Sequence, residues 1–195
     1  MNRRTFVPAA GLACAGLGRA GRAAAQSTDL PACAYLRPAD VVYEPTPRAV
    51  VEVLLDLARV GPGDVVYDLG CGDGRIVVAA ARRGAGGVGI EIDPRLVEWA
   101  RANVRAEGLD AGVRIDNQDL FASDLSGASV VALYILPEMN RRLRPKLWRE
   151  LAPGARVVAN GFGVPGWTPE RVVEVPTRYR HAYLYTVQPE HKAAA

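Results

Sequence analysis

The sequence predicts an α/β domain: a mostly parallel, seven-stranded sheet with helices on both faces and an antiparallel strand at its C-terminal end. Three observations predict it. Short apolar runs alternate with longer amphipathic segments from Val50 to Ala159, the rhythm of parallel strands joined by crossover helices. One apolar run, Val65 to Asp68, passes through closely spaced glycines straight into a helical pattern at Arg75. After Gly161 the helical pattern stops, and two β-rich runs follow that can close the sheet as an antiparallel pair.

In order along the chain, Thr46 and Pro47 supply a cap and a first-turn proline for a helix whose apolar positions Val50, Val51, Val53, Leu54, Leu57 and Ala58 recur at helical spacing. Gly61-Pro62-Gly63 stops it. Strands are predicted at Val65 to Asp68, Val88 to Ile92, Val113 to Asp116, Val130 to Ile135 and Val157 to Ala159. Helices fill the intervals at Arg75 to Arg83, Pro94 to Glu107 and Glu138 to Leu151, the second opened by the cap and first-turn pair Asp93-Pro94. A Gly/Pro/Trp loop then leads to the final runs, Arg171 to Val175 and Ala182 to Val187.

The first 25 residues belong to a different regime. Arg3-Arg4-Thr5-Phe6 precedes a weakly apolar Ala/Gly/Leu stretch ending at Ala23-Ala24-Ala25, which reads as a twin-arginine export signal cleaved before Gln26. The resulting organisation is a signal over 1–25, a polar lead-in over 26–42, a folded domain over 43–188 and a disordered tail over 189–195. The location is periplasmic or exported if the signal operates, and cytoplasmic otherwise.

Without that leader, the 24 basic residues of the whole chain fall to 20 against 21 acidic ones, with Lys146 and Lys192 the only lysines. So balanced a domain argues against a surface that tracks phosphates, and no nucleic-acid partner is expected. Nothing in the mature domain approaches the roughly 20 uninterrupted apolar residues that a membrane-spanning helix needs. Cys33 and Cys71 are too few for a zinc site, and no metal is expected; an oxidising compartment would permit a bridge between them if geometry allowed.

The chemistry centres on Val65-Val66-Tyr67-Asp68-Leu69-Gly70-Cys71-Gly72-Asp73-Gly74-Arg75. Alternate glycines let the backbone take left-handed dihedrals and approach a ligand, while the following helix presents free N–H groups. Dinucleotide folds use the same layout with G-x-G-x-x-G for a pyrophosphate. Here the spacing is G-x-G-x-G, and Asp68 would repel a pyrophosphate but bind an ammonium. S-adenosylmethionine (SAM) carries one. Glu91, 23 positions after Asp68 at the end of the next strand, can accept from both ribose hydroxyls; Asp119, before Leu120-Phe121, can accept from the exocyclic amine of adenine. Cys71, inside the glycine loop, reads as a small packing residue rather than a nucleophile.

These motifs resemble the class I methyltransferases. More narrowly, Tyr43-Glu44-Pro45-Thr46-Pro47, Asp68 to Val77, Gly89-Ile90-Glu91, Asp119-Leu120-Phe121 and Leu133-Tyr134-Ile135-Leu136-Pro137-Glu138-Met139-Asn140 resemble bacterial relatives of the lysine methyltransferases that act on adenine nucleotide translocase and on the c-subunit of ATP synthase. The resemblance implies a Rossmann-like methyltransferase sheet and SAM as cofactor, with Asp68, Gly70, Cys71, Gly72, Glu91, Asp119, Leu120 and Tyr134 contacting it. It also implies that Tyr43 to Thr46 and Tyr134 to Pro137 border the methyl-transfer pocket. Glu44 departs from the apolar residue the resemblance leads one to expect and would change the charge at the pocket rim.

The expected activity is methyl transfer from SAM to an acceptor, foremost a protein side-chain amine such as lysine. A small-molecule acceptor, an exported module that binds SAM without turnover, and a nucleotide-linked oxidoreductase are the alternatives. In-line displacement at a sulfonium needs alignment and exclusion of water, not a covalent enzyme intermediate. Tyr43, Glu44, Tyr134 and Glu138 are the polar candidates for neutralising an acceptor amine, and no catalytic base is assigned. His181 and His191 read as surface residues, and Trp148 and Trp167 as packing. The run after strand four lacks the Asn/Asp-Pro-Pro-Tyr/Phe signature of amino-methylating DNA enzymes. Oligomeric state is not legible.

Overall fold

The computed structural model describes residues 43–193. The expected leader, the lead-in to residue 42 and Cys33 lie outside the described residues. Chain order is α1 (Arg48–Leu57), β1 (Val65–Leu69), α2 (Arg75–Arg82), β2 (Gly86–Glu91), α3 (Pro94–Ala106), β3 (Val113–Asn117), β4 (Val130–Leu133), α4 (Pro137–Glu150), β5 (Arg156–Asn160), β6 (Arg171–Glu174) and β7 (His181–Thr186).

The seven strands form one sheet in the order β3-β2-β1-β4-β5-β7-β6. Strands β1 to β5 pair in parallel, and β7 runs antiparallel to both β5 and β6, so it alone opposes the rest. This is the predicted Rossmann-like α/β class. Alternate residues of each central strand feed opposite layers. Val66, Val130 and Val158 pack against Leu54 and Leu55 of α1 and Ile76 of α2 on one face. Leu69, Val131, Leu133 and Val157 pack against Leu143 and Leu147 of α4 on the other.

Several boundaries depart from the sequence reading for identifiable reasons. Strand β2 begins at Gly86, not Val88, although glycine weakens strands. Those glycines answer close approach: a Cβ at Gly87 would stand 3.0 Å from that of Val77, and one at Gly89 would stand 2.7 Å from the Cys71 sulfur. Strand β4 ends at Leu133, which releases Tyr134 and Ile135 past the strand edge. Thr46 does not cap α1. The cap position is Pro47 with no side-chain hydrogen bond, while Thr46 is buried and its carbonyl accepts from Arg75 Nη1 at 2.8 Å.

The C-terminal tail, expected to be disordered, instead makes a 3₁₀ turn over Pro189–Ala193. Its His191 ring stacks on Trp148 at 4.7 Å, and Trp148 packs edge-on against Trp167 at 5.7 Å. Two histidine–tryptophan contacts, to Trp148 and to Trp167, outweigh the fraying expected of a chain end. No helix among the described residues is long and apolar enough to cross a membrane.

Candidate active site

The strand order reverses between β1 and β4, and the crevice outside the carboxyl ends of strands at such a point is where open α/β sheets bind ligands. A cavity of about 640 Å³ opens there, within the range of roughly 300–1,000 Å³ typical of small-molecule clefts. Each successive strand end contributes to it. Asp68 lies at the end of β1, with Gly70 and Cys71 just past it; Glu91 ends β2, with Ile92 and Asp93 after it; Gln118, Asp119, Leu120 and Phe121 follow β3; Tyr134 and Ile135 follow β4. Of the eight residues predicted to contact the cofactor, seven line this one cavity. Gly72 does not: its α-carbon is covered by the Tyr43 ring, and a Cβ there would overlap Tyr43 Cε2.

The glycine loop is shaped by left-handed residues, with φ +83° at Gly70 and +55° at Gly72. At Gly70 a Cβ would meet only Ile135 Cγ2 at 3.8 Å, so this backbone stays open to the cavity. Gly72 serves differently, because its N–H donates to Glu91 Oε2 at 3.0 Å. Glu91 Oε1 accepts from the amides of Ile92 at 2.8 Å and Asp93 at 2.9 Å. One buried carboxylate thus ties the first cofactor-loop candidate to the second.

The other acids are held in distinct ways. Asp73 is gripped by Arg75, with Nε to Oδ1 at 2.8 Å and Nη2 to Oδ2 at 2.6 Å. Burial pushes its pKa up, but the guanidinium's hydrogen bonds outweigh that and leave it below the ordinary aspartate value. Asp93 caps α3 through the Arg95 amide at 2.9 Å, and Asp119 accepts from the Phe121 amide at 2.9 Å. Asp68 is 4% exposed, and no donor among the described residues is directed at its carboxyl. Burial first, and then the neighbouring Glu91 and Asp73 charges, push its pKa up to about 8. Cys71 is a free, buried thiol whose pKa burial and the adjacent Asp68 push well up, which makes it inert.

Several cavity residues escaped the sequence reading. Arg75 clamps the loop to the N-terminal segment by joining Asp73 to the Thr46 carbonyl. Trp99 lines the cavity, remains 49% exposed and meets Tyr43 edge-on at 6.0 Å. Leu96 and Trp99 lie one turn apart on α3, a spacing that could have marked a cleft-facing stripe. Met139 enters from the first turn of α4. Glu138, one of the four polar candidates, does not line the cavity; it is exposed and ion-paired with Arg141. Among the described residues, no cluster of His, Cys, Asp and Glu could hold a metal ion.

The family model for the ANTKMT methyltransferase domain matches residues 68–171, from Asp68 in β1 to the start of β6. The chain belongs to the ANTKMT methyltransferase family. It is a class I SAM-dependent methyltransferase. A protein-lysine N-methyltransferase of Saccharolobus islandicus is 42% identical over 156 residues, covering 78% of this chain and 96% of that one. The adenine nucleotide translocase lysine N-methyltransferase of Mus musculus is 40% identical over 134 residues, a match that spans 68% of this chain and 58% of that one. Among solved structures, an RNA methyltransferase from Salinibacter ruber in complex with S-adenosylhomocysteine is 48% identical with a TM-score of 0.73, covering 75% of this methyltransferase and 95% of that chain.

Proposed function

We propose that this methyltransferase transfers the methyl group of SAM to the ε-amino group of a protein lysine. The sign of the crevice carries the reading. Six acidic side chains line it, Glu44, Asp68, Asp73, Glu91, Asp93 and Asp119, against two guanidinium groups, so acids outnumber bases even with Asp68 protonated. Those two, Arg75 and Arg95, are already paired with Asp73 and Asp93. Such a wall draws cations to its mouth and repels a polyphosphate. It therefore favours an amine acceptor over the RNA for which the Salinibacter neighbour is named, and the name of the archaeal protein-lysine relative supports the same choice.

For the cofactor we assign Asp68 to the ammonium of SAM, Glu91 to a ribose hydroxyl and Asp119 to the adenine amine. Gly70 and Cys71 form the floor, Leu120 lies beside the base, and Tyr134 borders the methyl group. The open backbone at Gly70 and the apolar flank of Ile90, Ile92, Leu96 and Phe121 fit an adenosine with its amino-acid tail. Because Glu91 already accepts from three amides, its remaining lone-pair capacity suits one hydroxyl rather than two.

SAM supplies a methyl group on a sulfonium, open to in-line attack by a lone pair. The chain's task is to bring a neutral amine to that line, although a free lysine has a pKa near 10.4. Ile135 and Met139 form an apolar wall that disfavours the ammonium. Burial raises the Tyr43 pKa, and burial together with Glu44 raises that of Tyr134, so both remain phenols that can donate but not take a proton. Incubation with labelled SAM and separate protein, RNA and small-metabolite fractions tests the reading. Label recovered as methyl-lysine is expected; label confined to RNA or to small molecules refutes it.

We also propose that residues 1–25 direct export by the twin-arginine route, on the strength of Arg3-Arg4 and an acid-free, alanine-rich stretch. Fractionation of cells carrying a C-terminal tag tests this. A periplasmic product starting at Gln26 is expected, and a full-length cytoplasmic product refutes it.

A further inference from the structure

The mouth of the crevice already holds a cation. Glu44, on the cavity wall, is ion-paired with Arg178, which arrives from the loop between β6 and β7, 134 positions away in sequence. The Arg178 guanidinium also lies 4.6 Å from the centre of the Tyr179 ring. That ring packs edge-on against Tyr134 at 6.0 Å and tilted against Phe162 at 4.5 Å, and burial together with the nearby Glu44 holds the Tyr134 hydroxyl protonated. Carboxylate and aromatic face together are the chemistry that binds an alkylammonium.

We propose that Glu44 is the acceptor-recognition residue of this enzyme: the ammonium of the incoming amine replaces Arg178 on the Glu44 carboxylate. The inference rests on the amine-acceptor reading given above and names the group that selects for it. Asp68 is assigned to the cofactor ammonium, and the remaining wall carboxylates are engaged within the chain. Glu91 serves three backbone amides, Asp73 and Asp93 hold arginines two positions away, and Asp119 binds the Phe121 amide. Glu44 alone among these pairs with a residue from a distant loop, and its side chain is 46% exposed against 65% for Arg178. A pair so open to water is screened and contributes little to stability, so exchanging one cation for another costs little. Capture and reaction then occupy different depths. The rim binds the ammonium, and the apolar wall of Ile135 and Met139 behind it favours the free base.

The test uses n-butylammonium, which reproduces the lysine side chain beyond its α-carbon, with 1-butanol as its uncharged counterpart. Both are titrated by ligand-observed NMR into protein saturated with S-adenosylhomocysteine. Butylammonium is expected to bind wild type at millimolar concentration, at least fivefold more weakly after Glu44→Gln, and two- to fivefold more tightly after Arg178→Gln; butanol should not distinguish the three proteins. Opposite signs for the two variants are the signature of exchange. Equal weakening in both means that the ion pair merely shapes the rim, and overturns the proposal. So does unchanged binding after Glu44→Gln, or no binding to wild type. S-adenosylhomocysteine affinity is measured on the same samples. Its absence from wild type sinks the methyl-transfer reading itself, whereas its presence with indifference to Glu44 sinks only this inference.

Discussion

The assignment of Asp68 to the cofactor ammonium predicts that cofactor binding is proton-linked, with a size that follows from the surroundings of Asp68. With its pKa pushed up to about 8, the carboxyl is about 1% ionised at pH 6 and about 90% ionised at pH 9 in the free protein. A ligand ammonium favours the carboxylate, so binding must expel the proton. Affinity for S-adenosylhomocysteine, which carries the ammonium without the reactive sulfonium, should rise roughly eightfold from pH 6 to 7 and roughly threefold more to pH 8. Above pH 8 it should fall again, as an α-amine of pKa near 8 loses its own proton. Calorimetry at pH 6.5 in buffers of different ionisation enthalpy should record roughly 0.9 proton released per ligand bound. Asp68→Asn should abolish both the slope and the release and bind at least tenfold more weakly at pH 8. Methylthioadenosine, which lacks the ammonium, should show no rise with pH in wild type. A flat wild-type profile between pH 6 and 8, or a slope that survives Asp68→Asn, refutes the assignment. The same shift has a stability counterpart of defined sign. A carboxyl whose pKa rises from 3.8 to about 8 on folding binds its proton more tightly in the native state, so the ligand-free protein loses stability as pH climbs through that window.

Three further outcomes follow from the packing. Gly72→Ala adds a backbone penalty of roughly 1–2 kcal/mol at φ +55° and drives a methyl into the Tyr43 ring, so it should weaken S-adenosylhomocysteine more than tenfold; Gly154→Ala, with φ +89° and nothing within 4 Å, carries the backbone cost alone and should leave affinity unchanged. Equal affinities in the two variants would contradict the role given to Tyr43 over the loop. Glu91→Gln leaves three amides with a weaker acceptor and should lower both the melting temperature and ligand affinity, the latter at least tenfold; a loss confined to stability would remove Glu91 from the ligand. Truncation after Gln188 removes the His191 stack on Trp148 and the Lys192 Nζ bond to the Arg149 carbonyl at 3.0 Å, worth about 1–2 kcal/mol or roughly 3–6 °C of melting temperature, with ligand affinity intact. An unchanged melting temperature would make the 3₁₀ turn ornamental.

The fold was legible where local chemistry dictates geometry. Strand β1, the glycine turn and α2 follow from one continuous run, and Asp93-Pro94 marks the start of α3 because Asp93 does cap it. The cavity acids were legible for the same reason, since residues just past successive parallel strands share one edge of the sheet. What the residues do not encode locally is which strands pair. The insertion of β7 between β5 and β6 is a long-range choice, and β6, mostly exposed, shows little of the alternation that would mark a core strand. Thr46 has the composition of a cap, but its burial under Arg75 overrode that preference. Gly72 looked like its neighbour Gly70 in the motif, and only the approach of Tyr43 separates a glycine that faces a ligand from one that seats a ring.

Clustering six carboxylates around one cavity would ordinarily be prohibitive, and the way each charge is compensated explains the division of labour. Glu91 is neutralised by backbone amides, Asp73 and Asp93 by arginines two positions away, and Glu44 by a guanidinium from a distant loop. Asp68 shows none of these and relies on a proton instead. The groups with internal, short-range partners keep them whatever binds, so they set shape. On the assignments proposed above, the two with exchangeable partners, a proton on Asp68 and Arg178 on Glu44, are the ones that would respond to an arriving cation, one at the floor beside the cofactor's ammonium and one at the rim facing the acceptor. A positive sulfonium and a positive amine would repel one another if brought together in an uncharged pocket. With separate carboxylates to receive the cofactor tail and the acceptor, the crevice can hold both until the amine sheds its proton against the apolar wall. Asp68→Asn and Glu44→Gln should therefore have nearly additive effects on ternary assembly. Strong coupling between them would mean that a single cation serves both sites.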